Sequence, residues 1–182
     1  MLPVVLRTAR LELSPPTLAD ADAITGYCRD PLFERMLTTP WPYEREHATG
    51  FVTEVVEPGW RDETEYTWAL RREGALVGVI GARAALRDVG YWVGAPHRRL
   101  GYLGEALPAV CRWLLEDRGW DLVRWEAVVG NHASAAAARA VGFRFTGVAP
   151  VAIQWRDGSH PDGWHAELRP ADLGTPLGCW PA

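Results

Sequence analysis

The stretch with the most chemical content is Tyr91 to Leu107, YWVGAPHRRLGYLGEAL, in which an apolar, strand-like run passes into a loop bearing Arg98 and Arg99. The loop opens directly into a helical segment, which is the layout of an anion site. Successive backbone N–H groups over residues 99–104, with the positive end of the following helix, can surround a phosphate or pyrophosphate. Gly101 permits close approach of phosphate oxygens, and the guanidinium groups supply charge nearby. Taken alone, the loop reads equally well as an unrelated turn.

Composition narrows the chemistry. All 19 basic residues are Arg and there is no Lys, so Schiff-base catalysis, a Walker-type nucleotide loop and a lysine nucleophile are excluded. A phosphate cradle in this chain must rest on backbone amides and Arg. Against those cations stand 23 Asp and Glu, a formal charge of -4, and nothing in this balance favours nucleic acid or an anionic membrane as partner. Cys28, Cys111 and Cys179 are too few and too scattered for a disulfide framework or a zinc knuckle, which fits a reducing compartment. His160 and His165 straddle Pro161 and Gly163 and read as part of a turn, so no metal site is expected. The opening Met1–Arg7 lacks the form of a signal peptide, and the longest apolar stretch, Ala75 to Ala82, is far below membrane-spanning length. A cytoplasmic location is the expectation.

The elements that must position the loop follow from periodicity. Leu6 to Ser14 alternates as one strand, ended by Pro15-Pro16. A short capped helix is expected from Thr17 through Cys28 and another turn or two over Pro31 to Met36. Glu44 to Glu57 carries Ala48, Phe51, Val52 and Val55 on one helical face, with Pro58-Gly59 as its stop. Tyr66–Leu70 and Leu76–Ile80 form a hairpin pattern, and Val89 to Val93 is the next strand. Gly104 to Arg118 is a long helix whose buried side holds Leu107, Val110, Cys111, Leu114 and Leu115. Leu122 to Val129 is a strand, Ala133 to Val141 a helix closed by Gly142, and Phe143 to Gln154 and Gly163 to Arg169 are extended. This order predicts a mixed α/β (α+β) fold over residues 1–169, with a Pro/Gly-rich tail over 170–182.

A second segment adds to the first: Asn131-His132-Ala133-Ser134, followed by Gly142-Phe143. With Tyr91-Trp92, Arg98, Gly101-Tyr102 and Glu105-Ala106 it resembles the GNAT superfamily of N-acetyltransferases, in particular the branch that acetylates the N-termini of ribosomal proteins. Leu6-Arg7-Thr8-Ala9-Arg10-Leu11 resembles that branch's first strand, so the resemblance covers roughly residues 6–168. It implies a single-domain fold with a mostly antiparallel central sheet, splayed at the cofactor site and flanked by helices. It also implies direct attack of a primary amine on acetyl-CoA, the acceptor being a peptide or protein N-terminus or a small amino compound. The alternative is a non-catalytic acyl-CoA-binding regulatory or interaction module. Two departures bear on the loop: Arg99 stands where the family has Gly, and Leu103 where it has Gly or Ala.

By the same resemblance, Trp92, Val93 and Gly94 pair with the pantetheine arm, and Arg98, Arg99, Leu100, Gly101, Tyr102, Leu103 and Gly104 cradle the pyrophosphate. Asn131 bonds the arm or the loop backbone. Ser134 corresponds to the proton donor for the departing thiolate, its plainer role being a helix cap. Many relatives use a tyrosine at the position of Ala138, which this chain lacks. Asp88 and Glu126 are the candidates for the base that deprotonates the amine, and a solvated strand end explains Asp88 equally well. Phe33, Trp41, Tyr43, Trp155, His160 and Trp164 lie in the regions expected to recognise the acceptor; core packing or a homodimer interface accounts for them as well.

Overall fold

The alternating opening segment folds back on itself instead of running as one strand. Leu6–Arg7 (β1) and Glu12–Ser14 (β2) pair antiparallel, because Thr8 turns the chain. Its N–H donates to the Leu11 carbonyl at 2.9 Å and its hydroxyl accepts from the Leu11 N–H at 3.0 Å. The computed structural model describes residues 1–176 and Trp180, so Cys179 and the end of the expected tail lie outside the described residues.

Ala21–Cys28 (α1) and Pro31–Met36 (α2) follow, the second capped by Asp30, whose carboxylate accepts from the Leu32 N–H at 2.8 Å. The stop expected at Pro58-Gly59 does not occur. Arg45–Gly50 (α3) runs through a π-helical turn, Phe51–Val56, into Glu57–Asp62 (α4) and ends at Glu63, which takes a left-handed conformation. Pro58 is tolerated because it sits in the first turn after the register change, where its missing N–H costs little. Gly59 serves packing: a β-carbon there would stand 2.6 Å from the Glu65 carbonyl oxygen, where the next strand begins.

Glu65–Arg72 (β3), Ala75–Arg83 (β4) and Asp88–Val93 (β5) form an antiparallel meander. Tyr102–Glu116 (α5) starts two residues earlier than its periodicity suggests and stops short of Arg118. Val123–Val128 (β6), His132–Val141 (α6), Arg144–Pro150 (β7) and Asp162–Leu168 (β8) complete the elements. Among the described residues eight strands make one sheet in the order β1-β2-β3-β4-β5-β6-β8-β7, parallel only between β5 and β6. The expected mixed α/β architecture with a mostly antiparallel sheet is the one observed.

Much of the tryptophan load is core. On one face of the sheet Trp60, Trp68 and Trp113 meet edge to face, with ring centroids 5.0 to 6.0 Å apart, under α5. Such contacts add to the burial of these large rings. On the other face Ile24, Cys28, Phe33 and Tyr43 from the early helices pack against Ala69, Leu76 and Val79. Trp180 meets Trp125 edge to face and packs at a tilt on Phe145, and Gly174 N–H donates to the Val141 carbonyl, so the chain after β8 returns to the core. Among the described residues no helix is long and apolar enough to cross a membrane.

Candidate active site

The site begins where the sheet opens. β5 and β6 share a single register pair, Asp88 with Arg124, joined by Arg124 N–H to the Arg87 carbonyl at 2.7 Å. Beyond it the strands diverge around a cavity lined by Gly90 to Val93 on one side and Trp125 to Ala127 on the other. Hydrogen bonding in an antiparallel pair alternates along the strand. Gly94 N–H is bonded to the Val77 carbonyl at 2.9 Å, so Gly94 and Trp92 turn their main chain toward β4. Tyr91 and Val93 therefore present theirs to the opening. Within Trp92–Gly94, Val93 is the residue whose backbone faces the cavity. Trp92 lines it with its side chain, packed on Phe33 at 5.7 Å between centroids, and Gly94 makes room for the Tyr27 ring, 2.6 Å from where a β-carbon would stand.

Ser134 bridges the opening. Its hydroxyl donates to the Tyr91 phenol oxygen at 3.2 Å and accepts from the Trp125 indole N–H at 3.2 Å, while the Tyr91 O–H donates to the Ser134 carbonyl at 2.9 Å. One hydroxyl thus touches a residue of β5 and a residue of β6. The capping role belongs to Asn131, whose side-chain oxygen accepts from the Ser134 N–H at 3.2 Å. Burial pushes the Tyr91 phenol up, so it remains a neutral donor at physiological pH. Tyr91 was singled out in the sequence for its motif and not for this contact, since its hydroxyl meets an element 43 residues away.

The loop before α5 has an anchored half and an open half. The Tyr27 hydroxyl lies 2.7 Å from His97 Nε2, and Arg98 is turned inward, with Nε donating to the Val93 carbonyl at 3.1 Å and Nη2 2.6 Å from Asp30. The Arg98 guanidinium therefore braces the loop against α2 while lining the cavity between β5 and β6. Gly101 caps α5 with φ 80°, and Arg99 before it has φ 62° and is exposed. The N–H groups at the start of α5, from Gly101 to Gly104, have no partner within the helix. Leu103 does not crowd this face: it packs against the core and lines the cavity between β5 and β6. Leu100 is exposed, and Tyr102 is buried beneath the Arg10 guanidinium, 5.0 Å from its ring centroid. Arg10 pairs with Glu105, so the first-turn carboxylate of α5 ties β1–β2 to the loop.

The carboxylates differ in how strongly they are engaged. Asp88, 4% exposed, is held by Arg83 through both of its oxygens, with Arg83 Nε at 2.8 Å from Oδ1. Glu126 accepts from the Ala152 N–H at 2.9 Å and lies 3.8 Å from His165 Nδ1, so it secures the chain between β7 and β8 while lining the cavity. The Glu65 side chain, which sequence reasoning passed over, is in no ion pair with any described residue; its polar neighbour is the Thr67 hydroxyl. It faces a second cavity with Thr67, Gly81, Gly90 and Trp92, which meets the first along β5. Burial pushes the Glu65 carboxyl up and the charge of Asp88 adds to this, while Arg83 and the Thr67 hydroxyl pull against it without cancelling it.

The remaining candidates separate by burial. Phe33 lines the cavity, Tyr43 and Trp164 are core, and Trp41 and Trp155 are partly exposed. His160 bonds the Val151 carbonyl, and Trp164 packs on His132. Cys28 and Cys111 are buried; the Cys28 thiol is pushed up to about 12 and Cys111 is raised as well, so neither supplies a thiolate.

Solved structures share this fold. Mycobacterium smegmatis RimJ in complex with CoA-disulfide superposes with a TM-score of 0.81 at 19% identity, over 96% of this chain and 91% of that one. RimL, a ribosomal L7/L12 alpha-N-protein acetyltransferase in complex with coenzyme A, gives 0.78 at 17% identity, over 91% and 98%. The microcin C7 self-immunity acetyltransferase MccE in complex with acetyl-CoA and AMP gives 0.74 at 19% identity, over 88% and 93%. No curated protein sequence matches the chain. The model of the acetyltransferase (GNAT) domain matches residues 10–144, three quarters of the chain and every element around the opened sheet up to α6. With the splayed strands and the loop leading into α5, this match makes the chain a member of the GNAT acetyltransferase family.

Proposed function

We propose that the protein is an acetyl-CoA-dependent N-acetyltransferase of the ribosomal-protein N-terminal acetyltransferase branch, acting on a primary amine by direct attack. The observation that carries this reading is the Ser134 hydroxyl, held between Tyr91 and Trp125 at the mouth of the splay. The free N–H groups of Gly101–Gly104 fit a pyrophosphate, and the outward main chain of Tyr91 with the Val93 N–H fits an amide-bearing arm lying along β5, the Val93 carbonyl being held by Arg98. Acetyl-CoA supplies an activated acyl carbon and a thiolate leaving group. The chain's own residues orient that carbon and deliver a proton at sulfur: Ser134 is the donor, refilled by the proton that the attacking nitrogen sheds, and Tyr91, kept neutral by burial, holds the serine in place.

RimL, named for an alpha-N-protein activity, and the CoA and acetyl-CoA complexes among the similar structures support the cofactor and an amine acceptor. The test is incubation with acetyl-CoA and a panel of small amines and peptides with free N-termini, followed by mass spectrometry. The expected result is a gain of one acetyl group on at least one amine, with acetyl-CoA raising the melting temperature. Acetyl-CoA binding without transfer to any amine would instead assign the protein to the non-catalytic acyl-CoA-binding reading.

A further inference from the structure

The sheet face opposite α5 is organised in rows set by register. Glu65, Arg83 and Asp88 are successive cross-strand partners on β3, β4 and β5. Arg124 and Glu167 continue that row across β6 and β8, with alternating charge. The next row is Thr67, Gly81 and Gly90, and the one after it Ala69, Val79 and Trp92. A charged row and an apolar row therefore flank a row with almost no side chains. This trough has a polar end: a β-carbon on Gly81 would stand 3.5 Å from Glu65 Oε1 and 3.5 Å from Thr67 Oγ1, so both oxygens lean over it. Thr67 is 1% exposed, and its hydroxyl faces the Glu65 carboxylate without a close hydrogen bond to any described residue. A buried hydroxyl without a partner is costly and marks a place where a donor or acceptor belongs. At its other end the trough reaches Gly90, over which a β-carbon would meet nothing within 4 Å, and there it joins the cavity between β5 and β6.

Resting on the acetyl-transfer reading, we propose that this trough is the acceptor subsite and that it takes a primary ammonium, with Glu65 and Thr67 as its hydrogen-bonding partners and Glu65 as the acceptor of its proton. Directly opposed residues of an antiparallel pair stand about 5 Å apart. A nitrogen over the Gly81–Gly90 pair is therefore within reach of Glu65 and stands on β5, whose outer edge borders the cavity that would hold the thioester. The charged groups facing Glu65 are Arg83 and Asp88, which are occupied with each other, so Glu65 is the carboxylate left for a cation. Its burial and the Asp88 charge raise its proton affinity, which suits a group that must take a proton from an ammonium. The ammonium gives one proton to Glu65; the freed lone pair forms the C–N bond as the C–S bond breaks. Sulfur leaves with the nitrogen's second proton, relayed through Ser134, and Glu65 returns the first to solvent.

The test is calorimetric titration of the CoA-saturated protein with two probes, phenethylammonium and an alanine-initiated tetrapeptide, with phenethyl alcohol as the neutral control. Wild type is expected to bind at least one ammonium probe saturably and the alcohol at least tenfold more weakly. Glu65→Gln should weaken ammonium binding by about tenfold or more, as for loss of a hydrogen bond to a charged group. Thr67→Val and Gly81→Ala, which remove the hydroxyl and fill the trough, should weaken it about three- to tenfold and carry the decision if Glu65→Gln does not fold. Saturable binding by neither probe, or equal binding by wild type and these variants, would overturn the subsite even if acetyl transfer is observed. Glu65-dependent binding without transfer to any amine would leave the subsite standing and overturn the acetyl-transfer reading. The probe that binds distinguishes a small amine from a peptide N-terminus.

Discussion

Ser134 Oγ and Tyr91 Oη lie 3.2 Å apart across the opening of the sheet, and the same phenol reaches the Ser134 carbonyl at 2.9 Å. Two hydroxyls on different elements thus form one proton-bearing unit, with the Trp125 indole holding the serine from the other strand.

Groups that act as a unit respond non-additively to removal. Ser134→Ala is expected to lower kcat by about a hundredfold, the scale of general-acid catalysis, with little change in the Michaelis constant for acetyl-CoA. Tyr91→Phe keeps the packing and loses the contact that orients the Ser134 hydroxyl, so its kcat should fall as well. The double variant should be no slower than Ser134→Ala. Steady-state kinetics of all three would check this, and multiplicative losses would show that the two hydroxyls act independently.

Gly101 is the position where the cradle depends on a left-handed backbone, with φ 80° and Arg10 Nη2 3.2 Å from a would-be β-carbon. An L side chain in that region costs about 1–2 kcal/mol. Gly101→Ala is therefore expected to raise the acetyl-CoA dissociation constant by about tenfold. Calorimetric titration measures it, and an unchanged constant would argue against the cradle.

Asp88 is paired with Arg83 below the sheet surface, so Asp88→Asn leaves a partly buried guanidinium short of its partner. The expected loss of stability is about 2–3 kcal/mol, less than for a fully buried pair because Arg83 keeps some solvent contact. The charge facing Glu65 disappears and Arg83 becomes available to it, both of which lower the Glu65 proton affinity. Activity that requires ionised Glu65 should then persist to lower pH, and a pH profile of kcat/KM for the acceptor reads the shift.

Asp20 and Arg71 form the other well-buried pair, with Arg71 Nη1 2.6 Å from Oδ1 and Nη2 2.7 Å from Oδ2. Burial pushes the Asp20 carboxyl up, but Arg71 and Thr17 outweigh it and hold the group below the usual range. A carboxylate depressed in the folded state stabilises the protein above its unfolded value, and that contribution is lost as pH falls through the folded one. Asp20→Asn is expected to cost about 2–4 kcal/mol at neutral pH. The difference from wild type should shrink below about pH 4. Urea unfolding across pH would show it.

The order of elements and the anion loop were legible in the sequence because each is signalled locally. Apolar residues recur at helical spacing in α5, the Arg-Glu-Gly turn between β3 and β4 is short, and Arg98 to Gly104 run straight into a helix. Local signals also misled at particular places. Pro58-Gly59 reads as a stop, yet the helix passes it, since proline is harmless in a first turn and glycine is there for β3 to approach. Leu6 to Ser14 reads as one strand, yet the Thr8 hydroxyl turns it back.

The sequence by itself determined which chemistries were open to this chain: an all-arginine complement, a loop able to bind an anion through its amides, a serine at the right distance from a Gly-Phe pair, and through them the GNAT resemblance. Only the tertiary structure decided which groups meet. Register placed Arg83 between Glu65 and Asp88 and gave it to Asp88, leaving Glu65 beside the Gly81–Gly90 trough. The divergence of β5 from β6 made room for α6 to set Ser134 against Tyr91. These outcomes depend on burial across the whole sheet and on strands brought together from distant parts of the chain, and no local pattern encodes them.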